Sequence, residues 1–126
     1  MLHSNKKGLA KRISSFKYAF KGMYELVLSE PNAQIHFVAA IVAVTCGFFF
    51  GLTATEWSLV VFAIAIVFAA EAFNTVIEKL VDHFFPEYHE TARIAKDISA
   101  GAVLFCAIGA LIVGLIIFIP KILNRI

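Results

Sequence analysis

Long apolar runs alternate with short charged ones along this chain. Three of the runs are long enough to cross a bilayer, which takes about 20 residues of helix. The first covers residues 34–52. The second is apolar from Trp57 to Ala70 and keeps a helical pattern as far as Asp82, giving 57–82. The third covers 98–119 and is expected to stop at Pro120, which lacks the N–H that a helix interior needs. Residues 9–30 are patterned differently. Leu9, Ile13, Phe16, Phe20, Met23 and Val27 recur at steps of three and four, so they share one helical face. Lys and Arg fill much of the remainder, which makes the segment too charged to span. It is expected to lie along a membrane surface with its basic side chains among the headgroups. Its end is expected at Glu30-Pro31, because the residue before a proline is pushed out of the helical region. The fold class is therefore all-α integral membrane: an N-terminal amphipathic surface helix and three transmembrane helices, in a single membrane domain over 1–126.

Composition supports this reading. Apolar residues make up 60% of the 126 residues and charged residues 16%, against roughly 45–50% and about 25% in soluble domains. A soluble monomer this short needs more charge to cover its surface, and disorder needs low hydrophobicity. A net charge of +2 gives no reason to expect nucleic acid as a partner. No span reads as a cleaved signal, since the first begins far from the N-terminus and no processing site follows it.

The basic residues set an orientation. Six precede the first span (Lys6, Lys7, Lys11, Arg12, Lys17 and Lys21), and none lies in the loop from Thr53 to Glu56. Three lie around the second loop (Lys79, Arg93 and Lys96) and two in the tail (Lys121 and Arg125). This distribution is expected to place the N-terminus and the second loop in the cytoplasm and the first loop and the C-terminus outside. Trp57 is expected to anchor the opposite interface.

Small residues recur every fourth position on two spans: Ala39, Ala43, Gly47 and Gly51 on the first, and Ala102, Cys106, Ala110 and Gly114 on the third. Such faces let helices approach closely in lipid, either within one bundle or between copies. Cys46 and Cys106 sit inside apolar runs without CxxC spacing, so they read as packing residues. His3, His36, His83 and His89 form no metal motif.

Polar residues inside the second span carry the chemistry. Glu71 follows fourteen residues with one polar member, Ser58. A carboxylate at that depth is costly and marks function by default. Glu71, Asn74, Glu78 and Asp82 are spaced to share one helical face. The plainer alternative is a helix end emerging into solvent, an explanation that suits Asp82 better than Glu71. Pro86 and Glu87-Tyr88-His89 then break the helix, and a new helical stretch brings Arg93, Lys96 and Asp97 to the start of the third span. Glu30, Glu71 and Glu78 thus converge with His89, Arg93 and Lys96 on one membrane surface. Carboxylates without thiolates suit a hard cation such as Mg²⁺, and cations beside it suit a phosphate substrate. No GxxxxGK[ST] loop and no strand-linked GxGxxG is present.

The run Ala70-Glu71-Ala72-Phe73-Asn74-Thr75-Val76-Ile77-Glu78-Lys79-Leu80-Val81-Asp82 resembles the signature E-x-x-N-[ST]-x-I-E-x-x-[VL]-D of the prokaryotic diacylglycerol kinase family, which includes undecaprenol kinases. A second part follows as Ala95-Lys96-Asp97 and Ser99-Ala100-Gly101-Ala102-Val103, with Tyr18, Gly22 and Glu30 at the family's spacing upstream. The resemblance covers about 11–119. It implies a homotrimeric membrane lipid kinase, with its active site between protomers at the cytoplasmic boundary. The kinase would transfer the γ-phosphate of MgATP to the hydroxyl of undecaprenol or diacylglycerol, giving undecaprenyl phosphate or phosphatidic acid. Carried over by residue, Glu71 would be the general base, and Glu30 and Glu78 would hold Mg²⁺. Asn74 would order the site, Lys96 would neutralise phosphate charge, and Asp97 would fix Lys96 or meet the nucleotide. Tyr18 and Glu87-Tyr88-His89 would contact ATP, together with Lys11 or Arg12.

Two departures stand out. Gln34 occupies a position that is basic in many members, and Pro31 stiffens the turn after Glu30. Ile35-His36-Phe37 and Lys79 are similar to undecaprenol-type members, whereas Glu87-Tyr88-His89 is similar to diacylglycerol-type ones; the polyprenol is favoured. Two other classes compete with a kinase. A small proton-coupled transporter would explain Glu71 but not the acid and Lys cluster. A structural or pore-forming oligomer would explain the small faces alone.

Overall fold

The computed structural model describes the backbone of residues 2–126 and the side chains of residues 7–126, so the side chains of His3 and Lys6 lie outside the described ones. Four helices follow one another: α1 (Leu2–Ser29), α2 (Pro31–Phe50), α3 (Ala54–Phe84) and α4 (Glu90–Leu123). The last three are long and apolar enough to cross a membrane.

Local chemistry sets each boundary. Glu30 is extended (φ −107°, ψ 115°) and caps α2, with Pro31 in its first turn. Proline suits that position because its missing N–H is not needed there and its φ is already helical. The break therefore falls at Glu30-Pro31 as expected, but Pro31 opens α2, which starts before residue 34. Gly51 closes α2 in the left-handed region, with φ 70° and its N–H bonded to Gly47 O; glycine takes that conformation without a Cβ penalty. A reciprocal cap then starts α3. Glu56 N–H donates to Thr53 Oγ1 at 3.2 Å, and Thr53 N–H donates to Glu56 Oε2 at 2.9 Å.

One boundary corrects the sequence reading. α4 does not stop at Pro120 but continues to Leu123. A proline in the last turn removes a single intrahelical bond, and Asn124 N–H still closes onto Pro120 O at 3.1 Å. At its other end α4 already begins at Glu90, so Arg93, Lys96 and Asp97 belong to the same rigid rod as the third apolar run.

α3 and α4 form an antiparallel pair, with contacts running from Lys121–Glu56 at one end to Lys96–Asp82 at the other. Val60 and Val67 of α3 and Val103 and Ile117 of α4 are buried, while Leu26 and Ala33 secure α1 and the start of α2. Most apolar side chains of α2 are exposed, among them Val38, Ile41, Phe48 and Phe49. An apolar cleft of about 600 Å³ separates α2 from α3 and α4, and Ala39, Ala43, Ala110 and Gly114 line it. Two members of the α2 small-residue row have local roles instead. Gly51 is the cap, and a Cβ on Gly47 would meet the Trp57 ring at 2.6 Å. Trp57 is half-buried against Gly47, and its ring meets Phe48 at a tilt of 53° with centroids 4.9 Å apart. Its packing against α2 is a role that the interfacial-anchor reading did not include.

Candidate functional site

The α3–α4 loop end of the pair gathers most of the expected polar residues. α3 contributes a face in which Glu71, Asn74 and Thr75 are all buried. Glu71 is 2% exposed, the most enclosed large side chain among the described residues. Its Oε2 has no hydrogen-bond partner. The nearest cation-capable group is His36 on α2, with Nε2 at 3.8 Å. Glu30 and Glu78 are close enough for their charges to act on Glu71.

Asn74 is held by α4. Ser99 Oγ donates to Asn74 Oδ1 at 2.7 Å and lies 2.9 Å from the Lys96 carbonyl, so one hydroxyl proton faces two acceptors. The Asn74 contact crosses between helices and is buried. Thr75 Oγ1 is a second buried oxygen without a partner. Helical threonines often donate back to a carbonyl one turn earlier, and Thr75 does not.

A polar cleft of about 290 Å³ lies beyond this buried group, lined by Asp82, Glu87, Tyr88, His89, Arg93, Lys96 and Asp97 among others. Lys96 Nζ donates to Asp82 Oδ1 at 2.7 Å. That bond, placed just before the apolar part of α4, holds the ammonium above the usual lysine range, so Lys96 is cationic at any physiological pH. Arg93 donates to Asp97 Oδ2 at 2.8 Å. Of the two roles expected for Asp97, fixing Lys96 is thus filled by Asp82. Glu30 pairs with Lys79 at 3.6 Å.

Lys11, Arg12 and Tyr18 are exposed on α1 and do not line the polar cleft. Gln34 donates to Leu28 O at 3.1 Å and so ties α2 back to α1. Three residues at the site were passed over in the sequence. Ser99 lay inside the small-residue run without a role, His36 was given no part beside Glu71, and Asp82 was placed on the polar face but given no partner. The antiparallel hairpin supplies the missing signal, since residues at similar distances from its loop face one another.

The donor set suits a hard cation held jointly with phosphate. Among the described residues no group of three or more His, Cys, Asp or Glu is placed to hold a metal ion by itself. Mg²⁺ is usually held by one or two carboxylates with substrate phosphates completing the shell. Glu30 and Glu78 fit that pattern.

The profile of the prokaryotic diacylglycerol kinase family matches residues 17–118. An undecaprenol kinase of Bacillus subtilis is 40% identical over 107 residues, covering 85% of this chain and 87% of the relative. A diacylglycerol kinase of Synechocystis is 35% identical over 111 residues, covering 87% of this chain and 63% of the relative. A diacylglycerol kinase of Escherichia coli is 30% identical over 109 residues, with 86% and 89% covered.

Proposed function

The chain belongs to the prokaryotic diacylglycerol kinase family and is a membrane lipid kinase; from that premise we propose that it transfers the γ-phosphate of MgATP to the hydroxyl of a membrane lipid alcohol, with undecaprenol favoured over diacylglycerol. The observation that carries the reaction is Glu71 Oε2, a buried carboxylate oxygen with no hydrogen bond of its own. It is free to accept the proton of an alcohol. In the transfer the lipid O–H bond breaks and its proton passes to Glu71. The lipid oxygen bonds to the γ-phosphorus, the bond from that phosphorus to the bridging oxygen breaks, and ADP leaves with the electron pair.

The remaining residues position and neutralise. Asn74, fixed by Ser99, orders the wall beside Glu71. Lys96, cationic and oriented by Asp82, faces the cleft in which phosphates would lie. Glu87, Tyr88 and His89 line the same cleft and would contact the nucleotide. Glu30 and Glu78 would hold Mg²⁺, which when bound offsets the phosphate charge. Lys79 is then released from Glu30. Lys11, Arg12 and Tyr18 reach the nucleotide only if α1 packs differently in the assembly. A homotrimer with the site between protomers is consistent with the exposed apolar faces of α2 and α4. The excess of Lys and Arg before the first span and around the second loop supports a cytoplasmic site in a bacterial inner membrane.

Undecaprenol is favoured because the 40% identical relative carries that substrate in its name. The experiment is incubation of purified protein in lipid micelles with radiolabelled ATP, Mg²⁺ and a panel of lipid alcohols. Label is expected in undecaprenyl phosphate above phosphatidic acid. Equal or greater label in phosphatidic acid overturns the substrate choice, and no label in any lipid overturns the reaction.

A further inference from the structure

The carboxylate that receives the substrate proton must lose it again before the next turnover, and Glu71 is sealed. Its side chain is 2% exposed, and among the described residues the basic group within ion-pair distance is His36, whose side chain is 21% exposed at the edge of the apolar cleft between α2, α3 and α4. The neighbours that might have served are engaged elsewhere. Asn74 is taken by Ser99, Glu30 faces Lys79, and Lys96 is held by Asp82. The charged or titratable groups facing Glu71 are His36 from α2, Glu30 at the α1–α2 junction, and Glu78 from α3 itself. α4 presents Ser99 to this region through Asn74 rather than a charge. Of these groups only His36 can accept a proton and become a counter-ion to the carboxylate.

Resting on the reading of Glu71 as base, we propose that His36 is its proton-relay partner: the imidazole takes from the Glu71 carboxyl the proton that the lipid hydroxyl has given it. The neutral tautomer with hydrogen on Nδ1 leaves the Nε2 lone pair toward Glu71 Oε2. After phosphoryl transfer the Glu71 carboxyl gives its proton to Nε2, forming an imidazolium beside a carboxylate. The more exposed ring then releases the proton to solvent, which restores the starting state. Imidazole is the side chain suited to this exchange, because it changes charge between about pH 5 and 8. The 3.8 Å separation is an ion-pair distance that must shorten for transfer, and contacts of this kind commonly tighten when substrate binds.

The test uses the purified protein in lipid micelles, with His36→Ala, His36→Gln and Glu71→Gln. His36→Ala is expected to lower kcat by up to roughly a hundredfold, the scale of a misplaced reacting group, with KM for ATP unchanged. Added imidazole should restore part of that turnover in His36→Ala and none in Glu71→Gln. His36→Gln fills the site but cannot take up a proton, so it should keep heat resistance and lose the pH dependence of turnover that a proton-accepting His36 is expected to give wild type. If His36→Ala fails to fold, His36→Gln alone decides through that pH profile. Wild-type turnover and an unaltered pH profile in His36→Gln, with Glu71→Gln inactive, overturn the role of His36 and leave the base in place. Wild-type turnover in Glu71→Gln overturns the base reading itself.

Discussion

The two ends of α3 hold acids in opposite conditions. At its start Glu56 accepts from the Thr53 amide at 2.9 Å and pairs with Lys121 at 3.1 Å, while its own amide donates back to Thr53. Arg125 closes the same end, donating to Phe49 O at 3.4 Å with its guanidinium 4.6 Å above the Phe49 ring. Fifteen residues further along, Glu71 is buried with an oxygen that no donor satisfies, and Thr75 is in the same state. This chain can therefore seat a carboxylate fully when the position is structural. Burying an unpaired polar group is costly, so the isolation of Glu71 is best understood as readiness for a proton that arrives with substrate. The capped end is satisfied within the fold, and the unsatisfied end is the one proposed to carry the reaction.

The largest expected effect comes from breaking the unsatisfied end. Glu71→Gln keeps volume and polarity but removes the carboxylate proposed as the base. Turnover should fall by about 10²–10⁴-fold, the usual contribution of a general base. Heat resistance should be unchanged or higher, because a neutral amide is easier to keep among apolar helices than a carboxylate. Lipid phosphorylation and thermal unfolding in detergent measure the two together. A variant that loses stability in step with activity would make Glu71 a structural acid like Glu56.

Glu30→Gln and Glu78→Gln come next. Each removes one anionic ligand from the expected Mg²⁺ shell while leaving a carbonyl oxygen in place. Weaker MgATP binding with an intact fold is expected in both. Titration with ATP at rising Mg²⁺ reads the change, and excess Mg²⁺ should recover part of the lost activity. Normal affinity in both variants would remove them from the metal role.

Much of this contrast was legible in the residues. Glu71 announces itself because fourteen nearly apolar residues precede it, and the steps to Asn74, Glu78 and Asp82 put four polar groups on one face. The Glu30-Pro31 break could be read from proline sterics alone. The partners across helices could not. Whether Lys96 reaches Asp82 or Asp97 depends on the rotation of α4 against α3, and the structure gives Lys96 to Asp82 and Asp97 to Arg93. Ser99 is invisible as a functional residue in a run of small ones until the hairpin register sets it opposite Asn74. Pro120 misled for a local reason, since its cost depends on how many bonds remain to be made after it.

Ser99→Ala sharpens the comparison by making the site end less satisfied still. Asn74 Oδ1 loses the hydroxyl that donates to it at 2.7 Å, and an orphaned buried acceptor costs about 1–3 kcal/mol. Lower heat resistance is expected together with a turnover loss much smaller than that of Glu71→Gln. Ser99→Thr keeps the hydroxyl and should recover part of both. If Ser99→Ala retains wild-type stability and rate, Asn74 is held by other contacts and the bond across the helices is incidental.

The smallest effects on activity belong to the capped end, and they show whether the two ends are separate in function. Thr53→Ala removes the oxygen that accepts the Glu56 amide, a cap worth about 1 kcal/mol, and should lower heat resistance while leaving turnover per folded enzyme alone. Glu56→Gln keeps an acceptor for the Thr53 amide but cancels the charge that meets Lys121. The Thr53 amide, and after it Lys121, hold Glu56 below the usual carboxylate range. A carboxylate depressed in the folded state stabilises above its unfolded value of about 4.3 and loses that contribution as pH falls through the folded value. Wild type should therefore resist heat slightly better than Glu56→Gln at neutral pH, and the gap should close on acidification below the ordinary glutamate range. Thermal unfolding of both proteins across that range measures the gap. The pair is partly exposed, so the gap is expected to be small and to shrink in salt. A large fall in turnover from Glu56→Gln, with stability intact, would mean that the capped end takes part in the reaction after all, and the division of α3 into a structural and a chemical half would have to be abandoned.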